Sequence, residues 1–147
     1  MPFEFSIRRR VEFVETDMAG IMHFSNFFRF METAEASFYR SLGFSVVMLD
    51  SGIGWPRVHA ECDYARPLMF EEEVEVRLLV AERRKRSATY LFKFIKQENG
   101  QSVVAARGKF VVVCATKSPD GKLAACALPE LYNQKVEVAP AEVLAAW

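Results

Sequence analysis

The sequence predicts an α+β domain in which one long amphipathic helix lies against a mostly antiparallel sheet. Three observations carry that reading. Residues 3–14 alternate between apolar and polar side chains, as a strand does. A single run with apolar residues three and four apart comes next. From residue 57 onward alternation returns in four successive runs separated by turn residues. One helix covers one face of such a sheet and leaves part of it open.

Within residues 3–14, Phe5, Ile7, Val11 and Phe13 are available to face a core. Ser25 or Asn26 offers a helix N-cap. At ~100° per residue, Phe27, Phe30, Met31, Ala34, Phe38 and Leu42 share an arc of roughly 120°. Gly43 stands where a C′ glycine ends a helix. Phe28, Glu35 and Tyr39 lie on a second edge of that helix and call for a second packing surface, for which another subunit is one source. Residues 45–54 read as an irregular linker.

Val58, Ala60, Cys62 and Tyr64 then alternate and stop at Pro67. Val74, Val76, Leu78 and Val80 share one face of the next run, and Ala88, Tyr90, Phe92 and Phe94 one face of the run after it. Asn99-Gly100 is a strong hairpin turn. Residues 103–116 form a long, very apolar strand with Gly108 as an expected bulge, and Ser118-Pro119-Asp120-Gly121 is a further turn. Residues 128–147 are a tail without an assigned structure.

A chain of 147 residues makes a single domain, 1–147, able to bury a real core. Hydrophobic residues at 51% and charged ones at 26% exclude a disordered chain. Nineteen basic and nineteen acidic residues cancel, so no global charge draws the protein to nucleic acid. The cysteines Cys62, Cys114 and Cys126 lack metal-type spacing. No signal pattern opens the sequence, and the longest apolar run is too short to cross a bilayer. The expectation is a soluble, cytoplasmic protein with no membrane partner. Thirteen phenylalanines and an open sheet edge predict a homo-oligomer.

Chemistry concentrates in residues 16–27. Asp17 sits among apolar neighbours, where a carboxylate is costly unless something uses it. It can act as a nucleophile or general base, or simply cap a turn ahead of Gly20. Gly20 permits a backbone conformation other residues resist. Asn26 offers either a helix cap or side-chain hydrogen bonds that orient the loop.

The run Asp17-x-Ala19-Gly20-Ile21-x-x-x-x-Asn26-Phe27, after a strand and opening the long helix, resembles the active-site segment of hotdog-fold acyl-CoA thioesterases, most closely the 4-hydroxybenzoyl-CoA thioesterase-like family. Tyr64-Ala65-Arg66-Pro67 followed by residues 71–76, and Glu82-Arg83-Arg84-Lys85, agree with it. The likeness extends over roughly residues 5–115. It implies a five- or six-stranded sheet wrapped round the helix, in homodimers with active sites at the interface that commonly pair into a homotetramer. It also implies hydrolysis of a short-chain or aromatic acyl-CoA to the free acid and CoA. No metal or cofactor is expected, CoA entering as part of the substrate.

Carried residue by residue, the resemblance makes Asp17 the catalytic carboxylate and the Phe24 backbone N–H the oxyanion donor, at a helix N-terminus whose dipole favours negative charge. It points to Arg83, Arg84 and Lys85 as partners of the CoA phosphates. Met18, Met22, Phe24, Phe27 and Trp55 are the expected acyl-pocket residues, with core packing as an equal alternative for each. Some relatives carry a histidine one position after His23, so the His23 side chain is expected to point elsewhere. His59 is expected to be a packed or interface residue, Glu32 solvated, and Glu35 the rival carboxylate, because another hotdog branch works from a helix glutamate. A non-catalytic acyl-CoA or acyl-carrier binding protein and a hotdog hydratase or dehydratase are the alternative functions.

Overall fold

The computed structural model describes residues 3–46 and 52–147. Strand β1 (Glu4–Arg10) and a 3-10 turn (Phe13–Glu15) precede helix α1 (Asn26–Ser41). There follow β2 (Ile53–Gly54), β3 (Arg57–Tyr64), β4 (Glu73–Arg83), β5 (Ser87–Glu98), β6 (Gln101–Val113), β7 (Ala115–Lys117) and β8 (Leu123–Ala125). Two short helices, α2 (Glu130–Lys135) and α3 (Ala141–Ala146), occupy the tail. The long strands make one antiparallel five-stranded sheet in the order β1-β4-β5-β6-β3, with β2-β7-β8 as a small second sheet. One long helix on such a sheet is the hotdog arrangement. Of the expected linker, residues 47–51 lie outside the described residues.

The helix forms where the apolar stripe demands it. Phe27, Phe30, Met31, Ala34 and Phe38 are all buried, and Leu42 at the C-cap is half-buried. They meet the inward faces of β4 and β5, where Val74, Val76, Leu78 and Val80 alternate with Ala88, Tyr90, Phe92 and Phe94. Gly43, at φ +91, closes the helix: its N–H donates to the Arg40 carbonyl and the Phe44 N–H to the Tyr39 carbonyl. That double bond is a Schellman cap. Asn99 (φ 52) and Gly100 (φ 77) make the tight hairpin between β5 and β6.

Five expectations are corrected. Phe13 does not face the core: β1 ends at Arg10, the chain turns, and Phe13 is 77% exposed. Val58, Ala60 and Tyr64 are exposed too, because β3 is an edge strand on which only Cys62 of the four alternating residues is half-buried against the core. The second edge of α1 needs no other subunit, since Trp55, Phe44 and Tyr132 of the same chain bury Tyr39. The tail is therefore structural, with Tyr132 anchoring it in the core. Finally, Gly108 is no bulge; it pairs regularly with Cys62 and Phe92. The β6 irregularity falls at Ala105, skipped between Val104 and Ala106, whose carbonyl accepts the N–H groups of Ala65 and Arg66. A Cβ on Gly108 would sit 2.6 Å from Met31 Sδ, so glycine there admits the helix.

Candidate active site

Asp17 opens a tight turn. Its carbonyl accepts the Gly20 N–H at 3.0 Å and its own N–H donates to the Ile21 carbonyl at 2.9 Å, while Thr16 and Met22 pair as an antiparallel bridge. Gly20 lies at φ +81, the left-handed conformation that a side chain resists. The Ala19 N–H donates to Asp17 Oδ1 at 2.8 Å. The half-buried carboxylate is thus held by one oxygen, and Oδ2 makes no protein hydrogen bond among the described residues.

The helix start is capped by a residue the sequence pattern did not single out for that role. Ser25 precedes the helix, is itself helical (φ -68, ψ -23), and gives no side-chain cap. Asn26 is the first helical residue and gives none either. His23 does the work: its Nδ1 accepts the Ser25 N–H at 3.3 Å and lies 2.8 Å from Ser25 Oγ, and its carbonyl accepts the Asn26 N–H. Among the amides at this terminus, that of Phe24 has no partner within the described residues. An unpaired N–H at a helix start is a ready anion donor.

Asn26 ties this terminus to the Asp17 turn. Its side chain is buried and its Nδ2 donates to the Glu15 carbonyl at 2.7 Å; the same carbonyl accepts the His23 N–H at 2.8 Å. Glu15 serves further as a hub, Oε1 accepting the Glu12 N–H and Oε2 pairing with Arg9 at 3.1 Å. No motif marked Glu15; only the fold brings residue 15 against the helix start.

Asp17, Ile21, Met22, Phe24, Phe27 and the 64–67 segment line one mostly apolar cavity of about 550 Å³. Tyr64 stands edge-on to Phe27 at 4.9 Å and its hydroxyl donates to the Phe24 carbonyl at 3.0 Å. The far wall is braced by Lys96, a buried cation whose Nζ donates to the Pro67 carbonyl at 2.8 Å and pairs with Glu72 at 3.2 Å. Tyr64 and Arg66 were legible in the sequence only as part of a resembling stretch.

The structure brings Asp17, Gly20, Phe24 and Asn26 together, with Met22 and Phe27 on the cavity wall. Met18 is fully exposed at the turn tip and does not line the cavity. Trp55 is buried in the core between Tyr39 and Tyr132 instead. Arg83, Arg84 and Lys85 stand at and just beyond the C-terminal end of β4, a strand of 11 residues spanning roughly 33 Å at ~3.3 Å per residue, and none of them lines the Asp17 cavity. There Arg83 donates to the Asn133 and Val136 carbonyls, closing the C-terminal end of α2, and Arg84 pairs with Glu82. Within one chain these cations do not join the Asp17 cavity. His59 is exposed on β3, 3.2 Å from Glu61.

Glu35 belongs to a separate buried cluster. Arg57 donates to its Oε1 at 2.7 Å, while Oε2 is buried without a hydrogen-bond partner. Burial pushes the carboxyl up to about 7, against the pull of Arg57 and with a further push from Glu32. Nearby, the hydroxyls of Tyr39, Tyr90 and Tyr132 form a chain with spacings of 2.6 and 2.7 Å. Glu35 lines no part of the Asp17 cavity. No group of three or more metal-ligating side chains occurs among the described residues.

Known proteins resemble the whole of this architecture. A family model described as thioesterase-like superfamily matches residues 11–147. An Aquifex aeolicus (strain VF5) protein, provisionally named an esterase, is 39% identical over 114 residues, covering 77% of this chain and 86% of its own. A 1,4-dihydroxy-2-naphthoyl-CoA hydrolase of Prochlorococcus marinus (strain NATL1A) is 31% identical over 118 residues, covering 73% of this chain and 76% of its own. The solved structure of a gentisyl-coenzyme A thioesterase superposes with a TM-score of 0.76 at 34% identity, covering 87% of this chain and 98% of its own.

Proposed function

The chain belongs to the thioesterase-like superfamily, and from that premise we propose that it hydrolyses an acyl-CoA thioester carrying a hydroxylated aromatic acyl group. One observation carries the proposal: Asp17, half-buried with one carboxylate oxygen free of protein hydrogen bonds, and Phe24, whose helix-start N–H is unpaired among the described residues, line the same apolar cavity. The ring-rich wall of Phe24, Phe27 and Tyr64 suits a planar acyl group. Two relatives are named for hydroxylated aromatic CoA thioesters.

In this reading the thioester carbonyl oxygen faces the Phe24 N–H, which stabilises the negative charge as the carbonyl carbon becomes tetrahedral. Asp17 Oδ2 takes the proton of an attacking water, or attacks the carbonyl itself to give an anhydride that water then opens. In either route the C–S bond breaks, and CoA leaves as a thiolate that gains a proton. The unpaired edge of β3, beside the cavity at Tyr64, supports pairing of two chains into a dimer. In such an assembly the exposed Arg84 and Lys85 of a second chain become available to CoA phosphates, Arg83 being committed to α2.

Thiol release across a panel of aryl and short aliphatic acyl-CoAs tests the proposal. Asp17→Asn should lower kcat by ~10²–10⁴ and keep the fold, because Asn can still accept the Ala19 N–H. Full activity in that variant would remove Asp17 from the mechanism. Tight binding of every ester with no thiol release would make the protein a binder rather than an enzyme.

A further inference from the structure

We propose that Cys114 and Cys126 form a reversible dithiol–disulfide pair, a redox modification site apart from the Asp17 cavity. Both thiols are free, and their Sγ atoms lie 3.2 Å apart. The register brings them there. Ala115 pairs with Ala125 in the β7–β8 ladder, so Cys114 and Cys126 are the next cross-strand pair, and the Cys126 N–H donates to the Cys114 carbonyl at 2.9 Å. Directly opposed residues on antiparallel strands have Cα atoms about 4.5–5.5 Å apart, within the span a disulfide bridges. Closing the bond brings the two sulfurs from 3.2 Å to about 2.05 Å. Cys62, on β3, has no such partner and stays a single thiol.

The two sulfurs differ in access. Cys114 is fully buried, while Cys126 is half-buried. Burial pushes the Cys114 thiol up to about 12, with its contact to Cys126 adding to the effect, so oxidation begins at Cys126. A small peroxide is the oxidant. Cys126 sulfur attacks it, the S–O bond forms, the O–O bond breaks, and an alcohol or water leaves with the proton. Cys126 is then a sulfenic acid. Cys114 sulfur loses its proton and attacks the Cys126 sulfur; the S–S bond forms, the S–O bond breaks, and the hydroxide leaves as water. Two thiols have given up two electrons to one peroxide, and exchange with two reducing thiols restores them.

The bond would add a covalent link to a segment held by backbone hydrogen bonds and by the packing of Cys114 and Leu128 into the core. The Cys114 N–H donates to the Arg86 carbonyl at 2.8 Å and the Leu128 N–H to the Lys85 carbonyl at 2.9 Å. Oxidation therefore ties the two arms of the β7–β8 hairpin to each other, beside the basic turn of residues 84–86.

Reduced, desalted protein treated with hydrogen peroxide and digested with trypsin without reductant tests this. The expected product is peptide 110–117 joined to peptide 123–135, lost again on adding dithiothreitol, with the three free thiols per chain falling to one. Oxidation should raise the wild-type Tm and leave that of Cys126→Ser unchanged. Independent alkylation of Cys114 and Cys126 after peroxide, a bridge to Cys62, or over-oxidised Cys126 with no joined peptide would each overturn the pair. The mapping is done on the wild-type chain, so its outcome does not depend on how well Cys126→Ser folds, nor on whether the protein hydrolyses thioesters.

Discussion

Asn26 Nδ2 reaches the Glu15 carbonyl across eleven residues at 2.7 Å, and so joins the first turn of α1 to the end of the 3-10 turn, two residues before Asp17. The carbonyl also takes the His23 N–H, so removing the amide does not orphan it. Asn26→Ala should cost about 1 kcal/mol of stability. It frees the helix start to shift against Asp17, and displacement of reacting groups by about 1 Å is worth up to ~10² in rate. Expected is a kcat loss of ~10–10² together with a fall in the denaturation midpoint matching about 1 kcal/mol, read by steady-state kinetics and urea unfolding. An unchanged kcat would show that the tie is structural only.

Gly20 isolates backbone conformation from packing. A Cβ there meets nothing within 4 Å, yet φ is +81. Gly20→Ala should therefore destabilise by about 1–2 kcal/mol through left-handed strain alone. Gly20→Asn should cost less, because Asn tolerates that region better. Equal losses for the two variants in chemical denaturation would contradict a conformational origin.

Glu35 predicts an inverted pH dependence. Its carboxyl, ordinarily near 4.5, is raised to about 7 in the fold. The folded state thus holds a proton the unfolded state has released, and stability falls as pH rises from about 4.5 to about 7. The loss is on the order of 3 kcal/mol before the relaxation that buried charges provoke. Thermal melts at pH 5 and pH 8 should show wild type losing Tm relative to Glu35→Gln. Parallel curves for the two proteins would mean Glu35 stays ionised beside Arg57 throughout.

Gly108 and Met31 form a coupled pair in the core. Adding a Cβ at Gly108 puts it 2.6 Å from both Met31 Sδ and Cε, and 3.3 Å from the Glu61 carbonyl. Met31 is wholly buried and has nowhere easy to go. Gly108→Ala should cost about 1–3 kcal/mol by overpacking. In the Gly108→Ala/Met31→Ala double variant the total should fall short of the sum of the singles by about 0.5 kcal/mol or more, measured by a double-mutant cycle. Additive losses would place the clash elsewhere.

The antiparallel sheet, the helix stripe, the Gly43 stop and the Asn99-Gly100 hairpin were all readable in order along the chain. Each depends on residues within one turn or one strand, where side-chain period and backbone preference speak directly. Asp17, Gly20 and the helix start were legible for the same reason: they lie within ten residues of each other. Readings that needed a partner distant in sequence fared differently. Gly108 looked like a strand defect and is a berth for Met31; Trp55 looked like pocket lining and is core; the second edge of α1 called for a second packing surface, and Phe44, Trp55 and Tyr132 of the same chain supply it at Tyr39.

Sequence alone, then, determined where the long helix and the long strands form and where one carboxylate stands out among apolar neighbours. Only tertiary structure decided that the Glu15 carbonyl meets the His23 N–H and the Asn26 side chain, fixing the helix start beside the Asp17 turn while the Phe24 amide stays unpaired among the described residues. It likewise decided that Glu35 belongs to a buried cluster with Arg57 and that Lys96 props the cavity wall through Pro67. Those outcomes are set by which surfaces meet when the sheet closes on the helix, and a buried polar group takes whatever partner that meeting supplies.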